Sequence, residues 1–146
     1  MSTGNREKGA SAVEFALILP VLILILFGII EFGFIIYDKA VITNASREGA
    51  RAGIVYKWAG GAPSAVSPGT ITSIVESYCA TMLISLGGGP AVPSTTVTGN
   101  CAVAGSALTV AVSYPYSFLV LPNFVQGLSG AITLNATTVM NCENQL

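Results

Sequence analysis

Apolar and polar positions along this chain fall into three regimes. From Phe15 to Ile30 sixteen consecutive residues carry no charge, and after Glu31 the apolar character resumes to Tyr37. The 23 residues from Phe15 to Tyr37 suffice, at about 1.5 Å per residue, to carry a helix across about 30 Å of hydrocarbon. Past Tyr37 the period becomes that of an amphipathic helix: Val41, Ile42, Ala45, Gly49, Ala52, Gly53 and Tyr56 recur every three or four residues with charges between them. One helix from Ala10 to about Lys57 is therefore expected, its inner half apolar all round and its outer half two-sided. A turn-rich stretch follows over 59–69, AGGAPSAVSPG. Ile71, Ile74, Val75, Tyr78, Met82, Leu83 and Leu86 then form the stripe of a second, amphipathic helix, with Gly87 to Gly89 and Pro90 as its stop signal.

The third regime has period two. Val97 marks a first strand; Leu108, Val110, Val112 and Tyr114 alternate in a second; Ile132, Leu134 and Ala136 alternate in a third. Pro115, Pro122 and Asn123 read as a loop between the last two, carrying Phe118 and Phe124. The expected fold is α+β: a long N-terminal helix, then a small head in which one amphipathic helix packs on a three-stranded antiparallel sheet. So little material makes a core only when laid against the outer part of the long helix. Ala45, Gly49 and Gly53 lie four residues apart, a small-residue ridge that suits close packing. It serves either a second helix or the chain's own sheet.

Composition sharpens this division. The chain is 52% hydrophobic and only 9% charged, against a charged fraction of about 25% in soluble domains. Every basic residue, Arg6, Lys8, Lys39, Arg47, Arg51 and Lys57, precedes Trp58; beyond it only Glu76 and Glu143 are charged. A head without a cation cannot neutralise phosphates, which argues against nucleic acid as a partner. Arg6 and Lys8 ahead of the apolar run favour a cytoplasmic N-terminus and an external head. The run is too long for an ordinary secretory signal and is followed by Glu31 and Phe32 instead of a small-residue cleavage site. Pro20 and Gly28 are tolerated in a membrane helix, with a bend expected near Pro20.

Glu14 stands at the inner edge of the apolar run, where an ionised carboxylate needs a partner. The residues Gly9, Ala10, Ser11, Ala12, Val13, Glu14 and Phe15 resemble a type IV prepilin processing signal, in which a basic leader ends in Gly and the fifth residue after the cut is Glu. The resemblance implies that a prepilin peptidase removes residues 1–9. Ala10 then becomes the N-terminus, and its α-ammonium can meet the Glu14 carboxylate of a staggered neighbour, fixing register. More narrowly, GASAVEFALILPVLILILFGIIEFG and the NASREGARAG stretch from Asn44 to Gly53 are similar to the TadE-like pseudopilins of tight-adherence (Flp, type IVc) pilus systems, as are LTVAVSYPYSFLVLP and ITLNATTVM nearer the C-terminus.

That likeness implies a pilin-like fold and a minor subunit acting in assembly, initiation or tip formation of a pilus. The expected layout is a leader over 1–9, a transmembrane assembly helix over 10–37, an outer stalk over 38–57 and a head over 58–146. The implied partners are the prepilin peptidase, other pilins or pseudopilins through the N-terminal helix, the inner-membrane assembly platform and the lipid bilayer. The implied location is the bacterial inner membrane, single-pass, with the head in the periplasm or, within a pilus, at the cell surface. The competing reading is a membrane-anchored binding or adhesion protein that enters no filament. Glu31 reads either as an interfacial residue near Tyr37 and Asp38 or as a second assembly contact.

Of three cysteines, Cys79 and Cys101 form the preferred disulfide, with Cys101 and Cys142 as the alternative. No enzyme chemistry is expected, and neither a cofactor nor a metal. The chain has no His, its one Asp is Asp38 beside the membrane, and Glu76 and Glu143 are the only carboxylates of the head. Gly87 to Gly89 lacks the Lys of a phosphate loop.

Overall fold

The structure, a computed structural model, describes residues 4–59, 62–84, 92–118 and 132–143. It consists of helix α1 (Gly4–Ile54), strands β1 (Lys57–Ala59) and β2 (Ala62–Ser64), helix α2 (Pro68–Met82), and strands β3 (Ser94–Thr98), β4 (Ala107–Tyr116) and β5 (Ile132–Asn141). The architecture is α+β: a long apolar helix, then one helix and a three-stranded antiparallel sheet of order β3-β4-β5.

α1 has 51 residues and runs through Pro20 without interruption. Its burial pattern divides it in two. From Gly9 to Ile30 every residue is exposed apart from half-buried Leu19, Leu24 and Gly28. From Glu31 onward one stripe turns inward at three- and four-residue spacing: Glu31, Asp38, Val41, Ile42, Ala45, Ser46, Gly49, Ala50 and Gly53 are buried. This is the face on which the head is built.

α2 begins by local chemistry. Ser67 is extended and its Oγ accepts from the Thr70 N–H at 3.3 Å, while Pro68 at the first helical position needs no donor partner. Ile71, Val75 and Cys79, each four residues from the next, are buried. The helix ends at Met82, with the Leu83 N–H returning to the Cys79 carbonyl at 2.9 Å. The glycines and proline expected to stop it, Gly87 to Gly89 and Pro90, and the apolar Leu86 lie outside the described residues.

α2 runs antiparallel to α1. A Cβ on Gly53 would collide with Ile71 and Leu108, and one on Gly49 would stand 2.5 Å from Val75 Cγ2, while the C-terminal end of α2 meets Asp38 through Ile84. The ridge of Ala45, Gly49 and Gly53 thus faces the chain's own α2 and β4. In β4, Leu108, Val110, Val112, Tyr114 and Tyr116 alternate into the core, joined there by Ala136 of β5. The opposite face pairs Thr98 with Thr109 and Val139, Thr96 with Ala111 and Thr137, and Ser94 with Ser113 and Asn135, a rank of residues with no charge. Lys39 on α1 donates from Nζ to the Asn135 carbonyl of β5, covering part of that strand's edge.

Three expectations are corrected. The turn-rich stretch contains a hairpin, β1 against β2, with Lys57 opposite Ser64 and Trp58 opposite Pro63. Strand β4 continues through Pro115, which pairs with Thr133. β3 has already ended opposite Ser113, so among the described residues the strand has a neighbour on one side only at Pro115 and can spare the missing N–H. Pro122, Asn123 and Phe124 of the expected loop lie outside the described residues, whereas Phe118 packs edge-on to Tyr116 at 5.7 Å.

The disulfide joins Cys101 to Cys142, not Cys79 to Cys101; Cys79 is a buried free thiol. Geometry explains the difference. Cys101 follows β3 and Cys142 follows β5, so antiparallel order brings both to the sheet end that lies level with the top of α1, where the Glu143 N–H meets the Ile54 carbonyl at 3.4 Å. Cys79 lies about two helical turns, roughly 12 Å, down α2 from Ile71, which marks that level.

Candidate assembly segment and head-docking face

Gly9 and Ala10 are helical and exposed, and so are Glu14 and Phe15, the latter to 62%. One helical turn, about 6 Å, separates Ala10 from Glu14 and sets them on the same face. Around them the helix shows apolar side chains to the outside on all sides: Leu17 is 72% exposed, Ile18 63% and Ile29 67%. The most apolar window of α1 is wholly unburied and long enough to cross a membrane. Among the described residues nothing in the head covers this segment, and its apolar surface fits lipid or other apolar helices.

The head-docking face begins where the charge-free run ends. Glu31 is 3% exposed and Asp38 fully buried, one heptad apart on the inward stripe, with Phe34 and Ile35 packed against the core between them. Asp38 Oδ1 accepts from the Ile84 N–H at 3.1 Å, just past the end of α2; Oδ2 has no hydrogen-bond partner among the described residues. Burial pushes the Asp38 carboxyl above its ordinary value, the Ile84 N–H opposing that shift. Close by, the Tyr116 hydroxyl is buried without a partner among the described residues, and burial, reinforced by the Glu31 and Asp38 carboxylates, pushes it up to about 12. Higher on the face, Ser46 Oγ donates to the Thr43 carbonyl at 2.8 Å and accepts from Thr138 Oγ1 at 2.8 Å, linking α1 to β5. Arg51 and Glu48 form a solvent-exposed ion pair at 2.7 Å.

The sequence patterns name Glu14, the ridge and the cysteines but not the role of Asp38, which reads there only as a residue beside the membrane. The usable signal is its spacing: Glu31, Asp38 and Ala45 are seven apart, on the stripe that continues through Ile42 and Gly49. Among the described residues no group of His, Cys, Asp and Glu could hold a metal ion.

A long helix, bare and apolar in its first half and carrying a small α+β head on one face of its second, is the architecture that the pilin resemblance of the sequence leads one to expect. Residues 9–51 match the family model described as TadE-like protein, the family that the sequence resembles. The match ends with the helix and leaves out the head. No curated protein and no solved structure matches the chain. TadE-like proteins are structural proteins associated with Tad pili, and a single apolar N-terminal helix fits a membrane anchor in such a system.

Proposed function

We propose that the chain is a minor pilin-like subunit, a pseudopilin, that takes part in assembling, initiating or tipping a Tad pilus. The supporting observation is the two-zone helix. Among the described residues its first zone, from Ala10 to Ile30, is exposed apart from half-buried Leu19, Leu24 and Gly28 and so is left for lipid or neighbouring helices, while its second is occupied by the head. A prepilin peptidase cuts between Gly9 and Ala10, and the new α-ammonium on Ala10 is the counter-ion for Glu14 of an adjoining subunit. In the membrane the charged form of either group alone is costly, so the pair both stabilises the contact and selects its axial stagger. Before assembly the apolar zone anchors the chain in the inner membrane with the leader in the cytoplasm and the head in the periplasm. The assembly platform then draws it into contact with other pilins.

Two measurements test this reading. Intact-mass analysis of the protein purified from its membrane is expected to show a chain beginning at Ala10; a mature chain that retains residues 1–9 overturns the proposal and favours an anchored binding protein outside any filament. In sheared surface fibres, Glu14→Ala is expected to reduce recovery of the subunit at least tenfold at equal membrane abundance. Unchanged recovery removes the charge-pairing argument.

A further inference from the structure

α2 shows the solvent a surface unlike the rest of the chain. On the side away from Ile71, Val75 and Cys79 an open groove of about 410 Å³ is lined by Ser73, Ile74, Ser77, Tyr78 and Thr81. The serines and the threonine are exposed; Ile74 and Tyr78 are half-buried and form its apolar floor. The groove is shallow and lies along one face of α2, so it suits one unit of an extended chain lying across it and not an enclosed small molecule.

The polar groups have assigned directions. Ser73 Oγ donates to the Thr70 carbonyl at 2.9 Å, and Thr81 Oγ1 donates to the Tyr78 carbonyl at 3.0 Å, so both oxygens turn lone pairs outward. Among the described residues Ser77 and Tyr78 take part in side-chain hydrogen bonding only through their carbonyls, which accept from Thr81, so their own hydroxyls can donate. The groove thus combines acceptors and donors over a short distance around an aromatic ring and a branched alkyl group. No charged side chain is among its lining residues; Glu76, the one charge on α2, is not one of them.

This chemistry selects by exclusion and by fit. A phosphate, carboxylate or sulfate ligand would find no cation, since the chain has none after Lys57. A cationic ligand would find no carboxylate in the groove. A purely apolar ligand would bury the hydroxyls of Ser77 and Tyr78 unpaired. A neutral sugar residue matches both halves. Its C–H face packs on Tyr78 and Ile74, and its hydroxyls, each a donor and an acceptor, pair with the Ser73, Ser77 and Thr81 oxygens. We propose that the α2 groove binds one uncharged sugar unit of a polysaccharide chain, weakly per site and with strength gained from many copies on one polymer. This does not depend on the filament reading, because the groove belongs to the head.

The test uses the full chain, purified in a detergent without a sugar headgroup, displayed on phosphatidylcholine vesicles and co-sedimented with insoluble cellulose, chitin and amylose, and with calcium alginate as an anionic counterpart. Ser77→Leu fills the groove at an exposed position; Tyr78→Ala removes the platform; Thr137→Leu makes the Ser77 change's counterpart on the far face of the sheet. Melting curves establish that each variant is folded. The expected result is retention on at least one neutral polymer and not on alginate, cut at least tenfold by Ser77→Leu and Tyr78→Ala and unaltered by Thr137→Leu. If Tyr78→Ala fails to fold, Ser77→Leu decides alone. The proposal is overturned by retention on none of the neutral polymers, by alginate retention equal to or above theirs, by full retention of Ser77→Leu, or by equal loss in Thr137→Leu.

Discussion

Asp38 enters the seam between α1 and the head with one oxygen bonded to the Ile84 N–H and the other without a partner among the described residues. Its folded-state pKa is raised by burial, so the folded chain binds this proton more tightly than the unfolded chain does. The stabilising contribution of the neutral carboxyl is present below the ordinary carboxylate value and is lost as pH rises through the raised folded value. Asp38→Asn keeps an oxygen for the Ile84 N–H and removes the charge. In thermal melts it is expected to raise the midpoint by a few degrees at pH 7 and to lose that advantage near pH 4; a lower midpoint at pH 7 would show that the ionised carboxylate is held by something stronger than Ile84. Tyr116 presents the neutral counterpart of the same situation. Its buried hydroxyl has no partner among the described residues, and leaving such a group unpaired costs about 1–3 kcal/mol. Tyr116→Phe is therefore expected to leave the melting midpoint equal or higher, and a loss above about 1 kcal/mol would reveal a hydrogen bond made by that hydroxyl.

Among elements, α1 and α2 meet through absent side chains. At Gly49 an added Cβ would come within 2.5 Å of Val75 Cγ2, whereas around Gly28 there is open space. Gly→Ala favours a helix by about 1 kcal/mol at either site, but overpacking costs about 1–3 kcal/mol. Gly49→Ala is expected to destabilise the head by about 1 kcal/mol net in denaturant titration, with Gly28→Ala leaving the head transition where it is. Equal behaviour of the two would mean that the helices can separate without loss. Much of this arrangement can be read from periodicity: three- and four-residue spacing locates α1 and the inward face of α2, and alternation from Leu108 to Tyr114 locates β4 and its buried side. What periodicity misses depends on contacts between distant parts of the chain. Gly60 and Gly61 between two short runs carry a hairpin signal that composition alone assigns to a linker. Pro115 is tolerated only because β3 stops short of it, and the cysteine pairing follows from which ends of strands come together. Glu14 is legible because its oddity is local, an acid beside an apolar run. Asp38 is not, because its burial comes from α2 arriving from 46 positions away.

At the scale of the whole molecule, thiols offer a way to read which parts face lipid, water and protein. Cys101 and Cys142 are joined, and Cys79 is buried with its thiol pushed up to about 11, so among the described residues no cysteine is reactive in the folded chain. Maleimide at pH 7 is expected to label nothing in the native protein and one site per chain after denaturation without reductant. That silence makes single introduced cysteines informative in intact cells whose outer barrier has been opened. Asn44 is exposed on the outer zone of α1 beyond the apolar segment, while Ile23 lies within the apolar zone that the head leaves bare. A membrane-impermeant maleimide added from outside is expected to label Asn44→Cys and to spare Ile23→Cys. Both zones belong to one continuous helix and both positions are exposed in the isolated chain, so a difference in their reactivity reports lipid or neighbouring apolar helices around the first zone. Labelling of both would mean that the apolar zone lies in water-accessible surroundings, and labelling of Asn44→Cys only after the inner membrane is broken would place the head on the opposite side from the one proposed.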